Sequence, residues 1–125
     1  MCLLNKCKNL FIDFDGVIVD SNKFKEIAIE KSISRVIVNS QKRNDAINYF
    51  NSNAGISRIK KLSKFFSKKD ISQIMHSYSS ECLNFFKLAS PTVGLVSFLK
   101  YIKLRKKNIN IYILSGGEKN EIMLF

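Results

Sequence analysis

The sequence predicts an α/β chain: an open parallel sheet interrupted by a helical insert. Three observations predict it. Residues 9–14, Asn-Leu-Phe-Ile-Asp-Phe, and residues 109–114, Ile-Asn-Ile-Tyr-Ile-Leu, form short runs of near-continuous apolarity toward opposite ends of a 125-residue chain. Such runs suit strands buried on both faces, as in a parallel sheet. Everything between them repeats apolar residues at helical spacing, and two strands so far apart join as parallel neighbours rather than as a hairpin.

The elements follow in order. The first strand covers 9–14. A first helix runs from Asn22 to about Val38, with Phe24, Ile27, Ala28 and Ile33 as its apolar positions and Asp20 or Ser21 as its cap. A second helix covers 41–50, and Asn51-Ser-Asn-Ala-Gly55 is a loop by composition. A third spans 56–66, with Ile59, Leu62, Phe65 and Phe66 on one side. A fourth spans 69–88, through Ile71, Ile74, Met75, Tyr78, Cys82, Phe85 and Phe86. Ala89-Ser90-Pro91-Thr92 breaks it. A fifth covers 93–107, and the second strand ends abruptly at Ser115-Gly116-Gly117. The insert, 22–88, therefore grows from the carboxyl end of the first strand as a helical subdomain. In open α/β sheets ligands bind beyond the carboxyl ends of the strands, which is where Asp13–Gly16 and Ser115–Gly117 fall.

Bulk composition narrows the classes. A hydrophobic fraction of 46% and a charged fraction of 25% describe a globular chain of one modest domain, not a disordered one. No apolar run approaches the roughly 20 residues that a membrane span needs. Asn5, Lys6 and Lys8 interrupt the N-terminus where an export signal would be apolar, so a cytoplasmic protein is expected. Cys2, Cys7 and Cys82 are scattered, lack zinc spacing, and lie far from the sole histidine, His76. They read as thiols in a reducing compartment. The net charge of +11 could serve nucleic acid or an anionic substrate. The densest basic groups, 58–69 and 100–107, are interleaved with apolar residues at helical spacing, so they read as the outer faces of amphipathic helices.

The chemistry concentrates at Asp13 and Asp15. Side chains alternate along a strand, so the two acids face one way and Phe14 the other. Gly16 lets the backbone turn tightly and lets a ligand approach. Neighbouring carboxylates resist joint ionisation unless a cation lies between them. A hard divalent ion with oxygen ligands resolves this, and magnesium suits a site that also holds phosphate. One acid could then attack phosphorus while the other handles protons. An EF-hand loop starting at Asp13 would need glycine at position 18 and glutamate at 24, and Ile18 and Phe24 exclude it. Two acids could also simply cap a turn.

The phrase Phe-Ile-Asp13-Phe-Asp15-Gly16-Val17-Ile-Val-Asp20-Ser21 resembles the first motif of the haloacid dehalogenase-like (HAD) hydrolases, closest to the phosphoglycolate phosphatase and beta-phosphoglucomutase subgroup. Ile113-Leu114-Ser115-Gly116-Gly117 is similar to their second motif, a strand ending in Ser or Thr. Ala54-Gly55-Ile56-Ser57-Arg58 resembles the substrate-facing loop of their cap. The resemblance runs from about Asn9 to Glu121. It implies a Rossmann-like core from 1–21 and 89–125 with a helical cap at 22–88. It further implies that Asp13 is the nucleophile that forms an aspartyl-phosphate and that Asp15 is the general acid and base. Asp13 and Asp15 would hold Mg2+, Asp15 through its backbone carbonyl. Gly16, Ser115 and Gly116 would border the phosphate, with the Ser115 hydroxyl and the Gly116 amide on its oxygens. Arg58 and Lys61 would reach the substrate, a small phosphorylated metabolite, from the cap. The plain reading of both cations is solvated helix surface, and that of Lys119 is surface as well.

The family's two later motifs, a lysine and an acidic pair on a further strand, are expected to be missing, because the sequence reaches Phe125 soon after Ser115. The sequence thus looks like an N-terminal half, with two strands where a doubly wound sheet has five or more. Three functions compete: a magnesium-dependent phosphatase or phosphomutase; a non-catalytic remnant or interaction module that pairs with a separate C-terminal half; and a nucleic-acid binder. The last ranks lowest, because no stacking platform or reading helix accompanies the charge.

Overall fold

A computed structural model describes residues 7–105 and 108–125. Cys2 and the Lys106-Lys107 end of the second basic group lie outside them. The described elements are β1 (Asn9–Asp13), α1 (Asn22–Val36), α2 (Ser40–Ser52), α3 (Arg58–Leu62), α4 (Lys68–Phe86), α5 (Leu95–Arg105), β2 (Asn110–Leu114) and α6 (Lys119–Leu124). The chain divides into two compact units, one made of Met1–Asn22 with Phe86–Phe125 and the other of Lys23–Phe85.

The first unit holds the sheet. β1 and β2 pair in parallel, as expected of strands so distant in sequence, with Asn9 opposite Asn110, Phe11 opposite Tyr112 and Asp13 opposite Leu114. Alternation along β1 is visible in burial. Ile12 and Phe14 point inward, while Phe11 and Asp13 are exposed. Phe14 packs its ring against Phe86 at 5.5 Å and edge-on against Phe125 at 5.6 Å. Ile102 is the buried residue of α5. The expectation that both strands are buried on both faces fails for both: β1 buries Ile12 but leaves Phe11 and Asp13 exposed, and β2 is exposed along its whole length. Among the described residues the sheet has only two strands, so no further strand flanks β2. α6 was not anticipated. It opens with Lys119, which is exposed as expected, and it carries the buried Glu121.

The second unit is helical. α1 buries Ala28, Ile29, Ser32 and Ile33, so the inward stripe is turned one position from the expected one: Ile27 is exposed and Ile29 is not. α1 stops before Val38 because Asn39 starts another helix, its side chain accepting from Lys42 N–H at 2.9 Å. α2 runs to Ser52, and Asn53 closes it by donating to Tyr49 C=O at 2.8 Å. The third helix is much shorter than its pattern suggested. It ends at Leu62, where Ser63 N–H bonds back to Ile59 C=O at 2.9 Å and Ser63 Oγ donates to Lys60 C=O. Phe65 and Phe66 therefore sit on a tightened turn, not on a helix face. Ser67 then opens α4, accepting from Asp70 N–H at 3.2 Å. On α4, Ile74, Tyr78 and Cys82 are buried at four-residue intervals. Phe24 of α1 stacks on Phe85 at 4.1 Å, and Arg35 pairs with Glu81 at 2.7 Å.

No helix among the described residues is long and apolar enough to cross a membrane.

Candidate active site

The site is built where β1 ends. Beyond Asp13 the chain makes a compact turn: Gly16 N–H donates to Val19 C=O at 2.7 Å, while Ile18 and Val19 N–H both reach Phe14 C=O, at 2.9 and 3.1 Å. This turn needs Gly16 for its backbone: its φ is +78°, in the left-handed region, while a Cβ there would only displace the side-chain end of the exposed Asn22. The turn is anchored from outside by Thr92, whose N–H donates to Ile18 C=O at 2.9 Å and whose hydroxyl donates to Val17 C=O.

Asp13 is exposed at the strand's carboxyl end, and Phe14 N–H donates to its Oδ1 at 2.8 Å. Asp15 is half-buried, and the fully buried Ser21 donates its hydroxyl to Asp15 Oδ1. Ser21 was expected to act only as a helix cap. Its contact with Asp15 follows from the compact turn, which returns position 21 to position 15. The turn residues Gly16 and Asp20 hint at such a reversal, but no spacing rule identifies the pair.

Ser115 follows β2 directly. Because Leu114 lies opposite Asp13, Ser115 stands beside the Asp13–Asp15 turn at the same end of the sheet. Its hydroxyl oxygen accepts from Gly117 N–H at 2.9 Å, which fixes the reversal after the strand. Gly116 is exposed, and nothing would meet a Cβ placed there. The paired strands thus bring Asp13, Asp15, Gly16, Ser115 and Gly116 to one end of one unit.

Arg58 and Lys61 belong to the other unit. The Arg58 guanidinium lies over the Tyr78 ring at 4.7 Å. Lys61 is not the solvated lysine its sequence suggested. It is 8% exposed, donates to Phe50 C=O at 2.9 Å and lies over the Phe50 ring at 4.1 Å. Burial, and secondarily the charge of Arg58, lowers its pKa below the ordinary 10.5. Lys64 and Lys42 likewise lie over Tyr49 and Phe66. Much of this basic group is therefore engaged with aromatic rings of its own unit.

Among the described residues no three His, Cys, Asp or Glu side chains cluster as a ready-made metal cage. The oxygen donors at the sheet end fit magnesium nevertheless, since that ion keeps several waters and takes one or two carboxylates. The Asp13 carboxylate and the backbone carbonyl of Asp15 could hold it, which leaves the Asp15 carboxyl for proton transfer.

Comparison with known proteins bears on this arrangement. Residues 10–125 match the family described as haloacid dehalogenase-like hydrolase. A HAD hydrolase of family IA, variant 3, from Entamoeba histolytica has a similar structure, with a TM-score of 0.66 at 15% identity. The match covers 95% of this chain and 53% of that one. A haloacid dehalogenase-like family hydrolase from Streptococcus pneumoniae gives a TM-score of 0.60 at 16% identity, over 94% of this chain and 53% of that one. At such identities the likeness is one of fold, and the chain spans about half the length of these solved structures. No curated protein matches it.

Proposed function

The chain belongs to the haloacid dehalogenase-like hydrolases, and from that premise we propose that it carries the nucleophile end of a magnesium-dependent phosphatase site for a small phosphorylated metabolite. The observation that supports this most is the parallel register, which sets Ser115 beside the Asp13–Asp15 turn. A carboxylate oxygen of Asp13 attacks phosphorus, and the bond to the leaving alkoxide breaks as Asp15 delivers its proton. Asp15, now a carboxylate held by Ser21, takes a proton from water as that water attacks the aspartyl-phosphate, releasing phosphate and restoring Asp13. The Ser115 hydroxyl and the Gly116 amide would hold phosphoryl oxygens. Bound magnesium would offset the negative charge gathered on the carboxylates and the phosphoryl group. In the helical unit Arg58 is the residue proposed for substrate recognition, and Lys61 donates to Phe50 C=O. A cytoplasmic location is part of this reading, resting on the scattered cysteines and the polar residues near the N-terminus.

The exposure of β2 along its length favours a second reading, an interaction module without catalysis of its own.

A trapping experiment separates the two. With acetyl phosphate and magnesium, the intact mass should show one added phosphoryl group, lost with EDTA and in Asp13→Asn. Labelling that persists in Asp13→Asn would refute the assignment of the nucleophile. A chain that never labels would favour the module.

A further inference from the structure

Between Glu81 and Glu118 the sequence contains no acidic residue, while Lys87, Lys100, Lys103, Arg105, Lys106 and Lys107 all fall there. α5 lies within this stretch. Most of its residues are apolar, yet Ile102 is the one it buries. The helical period places Val96, Lys100 and Leu104 on the side away from Ile102, with Tyr101 and Lys103 beside them. Val96, Tyr101 and Leu104 are 49%, 50% and 77% exposed, and Val93, just before the helix, is exposed as well. Lys100, Lys103 and Arg105 are exposed too. One helix thus turns aliphatic, aromatic and cationic side chains to solvent together, with no carboxylate of its own among them. Contiguous exposed apolar surface of this kind marks an interaction site.

We propose that this outer face of α5 docks the protein on an anionic lipid surface. Helices that lie in a bilayer interface combine aliphatic and aromatic side chains with lysine and arginine. Val96, Tyr101 and Leu104 enter the boundary between headgroups and acyl chains. The stems of Lys100 and Lys103 lie along them, with their ammonium groups among the lipid phosphates and carboxylates. Each cation near such a surface raises partitioning about fivefold, and a stretch without acids meets no like-charge repulsion from the leaflet. The aliphatic residues decide between polyanions. A nucleic acid would satisfy the cations and stack on Tyr101, but it would leave Val96 and Leu104 without apolar cover. The surface goes beyond the catalytic reading and does not depend on it: its test involves no turnover, so either can fail alone.

The probe is a phosphatidylcholine vesicle with about one-third phosphatidylserine. The full chain should cosediment with it at about 0.1 M sodium chloride, bind at least about tenfold more weakly at about 1 M, and ignore pure phosphatidylcholine. The chain has no tryptophan, so Tyr101→Trp supplies a single reporter, whose emission should shift to the blue on the anionic vesicles. Lys100→Glu with Lys103→Glu should lower partitioning at least about tenfold. Leu104→Ser should lower it severalfold, because charge alone does not seat the helix. Lys60→Glu with Lys69→Glu, on the helical unit, makes the same change in net charge and should have a far smaller effect. All these positions are exposed, so the melting curves should stay those of wild type. The proposal is overturned by no cosedimentation, by equal losses in the two charge-reversal pairs, by binding indifferent to Leu104→Ser, or by a reporter that does not shift. It is equally overturned by a homodimer that Leu104→Ser dissolves, or by a single-stranded oligonucleotide that binds more tightly than the vesicles through Lys100 and Lys103.

Discussion

At the scale of single residues, Gly16, Ser21 and Lys61 carry the distinctive local interactions. Gly16 holds a positive φ that an L side chain rarely adopts. Gly16→Ala should cost about 1–3 kcal/mol from the backbone alone, read as a lower urea midpoint at unchanged slope. A midpoint equal to wild type would show that the turn relaxes freely. Ser21 on Asp15 is the contact that local pattern missed, because the two meet only when the turn closes. Lys61 yields a pH signature. Burial, then Arg58, lowers its folded-state pKa below 10.5. Between that lowered value and 10.5 the unfolded chain binds more protons, so this site's contribution to stability rises with pH across the window. It sits at its minimum below the window and levels off above it. Urea midpoints of wild type minus those of Lys61→Met should therefore climb as pH approaches 10.5, and a flat difference would contradict the burial of the charge.

At the scale of elements, caps and buried stripes outweigh surface ion pairs. Ser67 closes the first turn of α4 through Asp70, accepting from its N–H and donating to its carboxylate. Ser67→Ala should lower stability by about 1 kcal/mol. Arg35 and Glu81 join α1 to α4 at 2.7 Å, but the arginine side chain is more than half exposed. Solvent screening limits that pair, and Glu81→Ala should cost about 0–1 kcal/mol. Chemical denaturation of both variants ranks the two effects, and a larger loss at Glu81 would reverse the ordering. The helices of the second unit were legible because apolar residues recur every three or four positions, as at Ile74, Tyr78 and Cys82. The third helix was misjudged for the same reason: Leu62, Phe65 and Phe66 keep helical spacing through a tightened turn, where serine hydroxyls and i→i+3 bonds replace the helix ladder.

At the scale of the whole molecule, charge is the dominant bulk property. A net charge of +11 on 125 residues favours expansion by self-repulsion. Added salt shortens the Debye length from about 10 Å at 0.1 M to about 3 Å at 1 M. Thermal stability should rise between these concentrations of sodium chloride, monitored by circular dichroism. A fall would mean that attractive pairs outweigh the net repulsion. The rings that receive Arg58, Lys61 and Lys64 show how part of this charge is held within one unit.

Local chemistry determined much of this protein. Apolar runs bounded by turn residues located both strands, their separation required parallel pairing, and the spacing of Asp13, Asp15 and Gly16 singled out the end of β1 as the candidate site. All of these are short-range properties, written in neighbouring residues. Tertiary structure decided the rest: that Ile29 rather than Ile27 turns inward, that Lys61 is buried on Phe50, that Ser21 serves Asp15, and that β2 is left bare. Periodicity states that a face needs cover; only distant parts of the chain supply it, and the sequence of β2 is the same whether or not they do.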